Sequence, residues 1–109
     1  MGTRISELAK RGRIAISASS SGVNLLVTGI ANKKLVVTSF FLTSNGTVNA
    51  KFQDGSTDIT GLLYEVANTG ISCPYNEEGW FETTSGNSLN LNLSGAIAVG
   101  GVLNYAIVG

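Results

Sequence analysis

The sequence predicts an all-β fold, an antiparallel β-sandwich or jelly roll of about eight strands behind a short N-terminal arm. Three observations predict it. From Arg13 onward apolar residues recur at every second position, most plainly in Leu89-Asn90-Leu91-Asn92-Leu93. Turn signals punctuate these runs: Asn45-Gly46, Asp54-Gly55, Asn68-Thr69-Gly70 and Ser85-Gly86-Asn87. The length, 109 residues, suits one domain with one modest core.

The first twelve residues read differently from the rest. Thr3 to Arg11 has the signature of one short helix. Thr3 caps its start, Ile5, Leu8 and Ala9 share a face, Lys10 and Arg11 suit the negative end of the helix dipole, and Gly12 closes it. So short a helix is marginal alone in water, which leaves residues 1–12 as a frayed terminus or as an arm that orders when it docks on a neighbour. The arm is basic. Arg4, Lys10, Arg11 and Arg13 face Glu7 alone, whereas the remaining sequence sets three lysines against six carboxylates. Arg4, Ile5, Leu8, Lys10, Arg11 and Arg13 are therefore the candidate partner-binding residues.

The sandwich domain, residues 13–109, follows. "RIAISAS" puts Ile14 and Ile16 on one face, and "GVNLLVT" does the same for Val23, Leu25 and Val27. "KLVVTSFFLT" is apolar on both faces, the pattern of a strand covered on both sides. Asn45-Gly46 then signals a tight hairpin, and "TVNAKFQD" returns with Val48, Ala50 and Phe52 inward. Asp54-Gly55 is the next turn, Leu62 to Ala67 the next strand, and the short Ile71–Pro74 run ends at the sole proline. "GWFETT" and "SLNLNLS" are strands on either side of the Ser85-Gly86-Asn87 turn. In the last strand Ile97, Val99, Leu103, Tyr105 and Ile107 face inward. The opposite face, with Val102 and Asn104, is small and mostly apolar and suits a subunit interface. The expected core is Ile14, Ile16, Leu25, Val37, Phe52, Leu89, Leu91, Leu93, Tyr105 and Ile107.

Composition argues against several chemistries. The sequence has no histidine, so no Ser-His-Asp or Cys-His arrangement and no imidazole metal site can be built. Its glycine-rich stretches match neither a Walker loop nor a dinucleotide fingerprint. "DGSTD" lacks the further carboxylates of a calcium loop, and Glu77, Glu78 and Glu82 read as a solvated cluster rather than a glycosidase pair. The expectation is no enzyme, no catalytic residues, no metal and no cofactor. A single cysteine, Cys73, permits no intrachain disulfide and reads as a small buried hydrophobe. Zero formal net charge predicts no nucleic-acid partner. No apolar run approaches membrane-spanning length, and the basic N-terminus has no apolar segment of the secretory kind. Charged residues make up only 13% of the sequence, which predicts apolar surface in need of a partner. Trp80 and Phe81 are adjacent on a strand, so one lies inside and one outside. Trp80, Phe81, Asn90, Asn92, Val102 and Asn104 are the candidate interface. With Tyr64 and Tyr75, the two aromatics also suggest a sugar-stacking platform.

The "GTVNAKFQDGSTDITG" hairpin, the Pro74…Gly79-Trp80-Phe81-Glu82-Thr83 segment and the Leu-Asn alternation at 89–93 resemble small structural proteins of tailed phages, particularly the head decoration, or cement, type. The resemblance spans about residues 35–108 and carries no catalytic signature. It implies a β-sandwich or jelly roll, a homo-oligomer, most simply a trimer, and a place on the outer surface of a virion. The partner would be the major capsid protein, and the chain would be made in the host bacterial cytoplasm. The alternative is a receptor- or glycan-binding domain of a tail fibre. On this reading Asn76 to Ala96 is a hairpin that displays an aromatic anchor, and the outward Asn and Ser residues bond across a threefold contact or simply meet water.

Overall fold

In the computed structural model, which describes residues 10–109, two antiparallel sheets face each other across one apolar layer. The first sheet holds β1 (Lys10–Ala18), β10 (Val99–Val108), β3 (Lys34–Ser44) and β7 (Gly70–Cys73) in that order, and the short β8 (Phe81–Glu82) also pairs with β3. The second holds β2 (Gly22–Val27), β9 (Leu89–Leu93), β4 (Val48–Asp54) and β5 (Thr57–Asp58), with β6 (Leu63–Glu65) also pairing with β4. The described residues are all-β as expected, with no helix among them.

Alternation builds the core directly. Leu89, Leu91 and Leu93 of β9 and Val48, Ala50 and Phe52 of β4, with Phe52 opposite Leu91 and Ala50 opposite Leu93, pack in one core with Leu35, Val37, Phe40, Leu42 and Leu103 of the other sheet. Three rings knit the centre: the Phe52 ring centroid lies 5.0 Å from Phe40 and 4.9 Å from Phe81, both tilted. Such tilted pairs add to simple burial. Ile14, Tyr105 and Ile107 are half-buried against this layer, as their positions in the alternation require.

Four expectations are corrected. First, β1 begins at Lys10, so Lys10, Arg11 and Gly12 belong to the sheet and not to a helix or an arm. Gly12 pairs with Tyr105, and the Tyr105 ring lies where a side chain at 12 would stand. Arg4, Ile5 and Leu8, with the rest of the proposed helix, lie outside the described residues. Second, Leu25 faces solvent at 61% exposure. A register shift between Leu25 and Val27 puts Val23 and Leu25 on the outer face and Val27 in the core. Third, Asn45-Gly46 does not close a hairpin. β3 and β4 belong to different sheets, neither residue has positive φ, and the Asn45 amide donates to the Ala98 carbonyl at 2.9 Å. The same holds for 76–96, because β8 lies in one sheet and β9 in the other. Fourth, the described residues form ten strands, β5 to β8 among them of only two to four residues, where about eight were expected. Asp54-Gly55 does form the predicted turn, with Asp54 paired to Thr57 and Gly55 at φ 62°.

Candidate functional site

The surfaces that the two sheets turn outward differ in chemistry, and most of the candidate residues that the structure describes lie on one of them. On the second sheet, register aligns Leu25, Asn90, Gln53 and Asp58 in one row, and Val23, Asn92 and Lys51 in the next. The polar middle of this face bonds to itself. Asn90 Nδ2 donates to the Gly55 carbonyl at 2.8 Å, and Asn92 Nδ2 to Gln53 Oε1 at 3.3 Å. Gln53 Nε2 in turn donates to Asp58 Oδ1 at 2.8 Å, and Lys51 Nζ lies 3.1 Å from Asp58 Oδ2. The Gln53 amide and the Lys51 ammonium hold the Asp58 carboxyl below the usual range. Asn90 is only 8% exposed, and Asn90 and Asn92 tie β9 to β4 and its turn within the chain.

Both flanks of that polar middle are apolar. Val23, Leu25 and Ile30 stand exposed along the β2 side, and Leu62, Tyr64 (75% exposed) and Val66 along the β6 side. Of the described strands, β2 pairs only with β9, and β5 and β6 only with β4, so both sides also end in strands open on one flank. An open strand flanked by exposed apolar side chains is a template for another chain.

The outer face of the first sheet carries Arg11, Arg13, Ala15 and Ser17 of β1 beside Ala106, Asn104, Val102 and Gly100 of β10. Next come Val36, Ser39, Phe41 and Thr43 of β3. Val36 and Ala106 are buried here as a small second cluster. Arg11 reaches across the sheet to donate to the Tyr75 hydroxyl at 3.1 Å. Asn104 Nδ2 donates to Ser39 Oγ at 2.8 Å, which bridges β10 and β3 where their register shifts. Phe41 is exposed, in register between Val102 and Ser72. The doubly apolar pattern of β3 predicted cover on both faces, and Phe41 is the part left open.

Trp80 and Phe81 split as predicted. Phe81 joins the core rings, while Trp80 stays half-exposed with its indole N–H donating to the Pro74 carbonyl at 2.8 Å. Gly79, at φ 87°, lets the chain pass Val36, whose Cγ1 occupies the place of a side chain at 79. The Trp80 amide then donates to the Val37 carbonyl at 2.8 Å. The proposed stacking platform does not assemble, because Phe81 is internal and Tyr64 belongs to the other sheet.

The carboxylates are committed structurally. Asp54 Oδ2 accepts from the Thr84 amide at 2.9 Å and the Thr84 hydroxyl at 2.5 Å. Burial alone would raise the Asp54 carboxyl, but these bonds and one from the Asn87 side chain outweigh it and hold it below its ordinary value. Glu82 pairs with Lys34 at 3.3 Å. Among the described residues no three His, Cys, Asp or Glu side chains gather as a metal site. Glu65 is 2% exposed on the inner side of β6, its Oε1 has no hydrogen-bond partner, and burial pushes its carboxyl up. Nothing in the sequence around Leu63-Tyr64-Glu65 marks that position, because the alternation there is short.

No protein-family model matches the chain, and no curated protein matches it. A solved structure from work on Bacillus endospore appendages, described as a novel family of disulfide-linked pili, is similar in fold. Its TM-score is 0.54 at 12% sequence identity, over 92% of this chain and 87% of that one. At that identity the likeness concerns the fold alone.

Proposed function

We propose that this chain is a non-enzymatic structural subunit that assembles with copies of itself. The observation that carries the reading is the pair of apolar, open-stranded flanks on opposite sides of the second sheet, Val23–Leu25–Ile30 and Leu62–Tyr64–Val66. Two different flanks on one subunit suit a heterologous contact, in which one flank of each copy meets the other flank of the next. Such contacts close into a ring, a trimer being the simplest here, or continue as a filament.

We also infer a jelly roll. Strand order supports it: β1, β3, β7 and β10 share one sheet, β2, β4, β6 and β9 the other, and the last strand lies between the first and third. In that reading β5 and β6 together occupy one strand position, as do β7 and β8.

The assembly we propose is the outer surface of a phage capsid, in line with the sequence resemblance. Oligomers bound between major capsid subunits would stabilise the shell by mass action. The second reading is a filament subunit, favoured by the fold likeness to the appendage protein. Cys73 packs against the core, so that reading does not include disulfide linkage through it.

Light scattering tests self-assembly. The expected mass is about three times the 11.3 kDa chain, or a polydisperse series for a filament. Leu25→Lys and Tyr64→Lys should each lower the mass while leaving the far-UV spectrum β-like. A monomer at micromolar concentration, unchanged by either substitution, would refute self-assembly. Binding to bare capsids, read as copies per particle, separates the shell reading from the filament one.

A further inference from the structure

We propose that the outer face of the first sheet binds a neutral saccharide, in two hollows set along Ser39, Phe41 and Thr43. Positions 39, 41 and 43 of β3 share this face, and Phe41, 47% exposed, lines the smaller of two hollows along that row. The larger, of about 530 Å³, is lined by Ser17, Ser19, Thr43, Asn45 and Asn68 over a floor that includes Gly100. The smaller, of about 260 Å³, is lined by Phe41 with Ser39, Ser72, Pro74, Val102 and Asn104.

The chemistry of the lining selects the ligand class. No charged residue lines either hollow. The side chains of Ser17, Ser19, Thr43, Asn45 and Asn68 have no hydrogen-bond partner among the described residues. Hydroxyls and amides both donate and accept, which matches sugar hydroxyls that do the same. An anionic ligand would call for cations. An apolar ligand would bury these groups unpaired, at a cost. Phe41 supplies the complementary apolar surface, a ring face for the C–H face of a pyranose.

Gly100 adds an independent observation. A side chain placed there would meet nothing closer than the Ile16 carbonyl at 3.7 Å, and its φ is not in the positive region. The fold therefore tolerates a larger residue at 100, and the effect of glycine is to keep the hollow open. Gly101 next to it is different, because a side chain there would run into the Phe41 carbonyl.

The test is saturation-transfer and chemical-shift NMR on the full chain. The probes are di- to tetrasaccharides of glucose, galactose, mannose and N-acetylglucosamine. Shifts should cluster around Thr43, Asn68 and Gly100, with a Kd of about 1 mM for at least one sugar, the weak end of specific affinity. Phe41→Ala and Gly100→Val should each weaken binding by about tenfold or more, which is a change of about 1.4 kcal/mol. Leu25→Lys should leave it unchanged. Gly100→Val keeps the test valid if Phe41→Ala perturbs folding. No response from any sugar overturns the proposal, as does binding that survives both substitutions. So does a Phe41→Ala protein whose only change is a lower oligomer mass, which would assign the face to a second copy. The first two outcomes leave the assembly reading untouched, because that reading rests on the flanks of the other sheet, and the third would add this face to the contact between copies.

Discussion

The outer faces of the two sheets are both rich in small polar residues, yet one is closed and the other open. On the second sheet Asn90, Asn92, Gln53, Asp58 and Lys51 bond to one another or to backbone, so the centre of that face has little hydrogen-bonding capacity left for a partner. On the first sheet Ser17 and Thr43, with Asn68 from the turn before β7, have no such partner, and Phe41 stands exposed on the same face. The difference teaches that an Asn/Ser-rich β surface is not of one kind. Amides in register on neighbouring strands consume each other, as cross-strand pairs do. Hydroxyls set beside a glycine floor find no neighbour and remain available.

The largest effect tests what the two faces share. Phe52 lies at 0% exposure and its ring touches Phe40 and Phe81 of the opposite sheet. Phe52→Ala should cost about 3–5 kcal/mol in urea unfolding. Because the rings join the sheets, fluorescence and far-UV signals should fall in one transition. Separate transitions would mean that the sheets are independently stable and that each face must be discussed alone.

Much of this interior was legible in the sequence. The unbroken alternation of 89–93 and of 48–52 places each leucine, valine and phenylalanine on its observed side. What alternation cannot convey is a change of register or of sheet. Leu25 reads as core until the bulge before Val27 turns it outward. Asn45-Gly46 reads as a hairpin because a dipeptide reports that the chain turns, not which strand the next segment will pair with. Lys10 and Arg11 read as a helix end because Gly12 resembles a stop, whereas its lack of a side chain makes room for the Tyr105 ring. The candidate groove was least legible of all. Ser17, Phe41, Asn68 and Gly100 are far apart in sequence, and only the pairing of β1, β10, β3 and β7 brings them to one surface.

The next effect addresses the contrast directly. Asn90→Ala removes the bond to the Gly55 carbonyl from a nearly buried side chain, and should cost about 1–3 kcal/mol. Thr43→Ala, on the open face, should fall within about 0.5 kcal/mol of the unmodified protein. The paired measurement is the shift in urea midpoint at constant slope. Equal losses at the two positions would mean that Thr43 has a structural partner and that the open face is as self-satisfied as the other.

The smallest effect separates the outer face of the second sheet from its inner one, and it is read by pH. Asp54 and Asp58, on or beside the outer network, have carboxyls held below their ordinary values by hydrogen bonds. The stability they contribute is present above the unfolded carboxylate pKa and is lost as pH falls through their folded values. Glu65 has the opposite sign. Its inward carboxyl is raised by burial, with Oε1 unpaired, so the folded state favours its neutral form. Its contribution is complete below the unfolded glutamate pKa, about 4.3, and is lost as pH rises through the higher folded value. Glu65→Gln, which cannot ionise, should therefore raise stability near neutral pH, by about 1 kcal/mol or less. That gain should disappear below about pH 4, where the native glutamate is already protonated in both states. Urea midpoints of the two proteins, measured from acid to neutral pH, should diverge upward for the glutamine variant as pH rises. A constant difference across the range would mean that packing rather than charge sets the cost at position 65. A glutamine variant less stable at neutral pH would mean that the ionised carboxylate has a favourable partner, and that the inner side of β6 is as well satisfied as the network outside it.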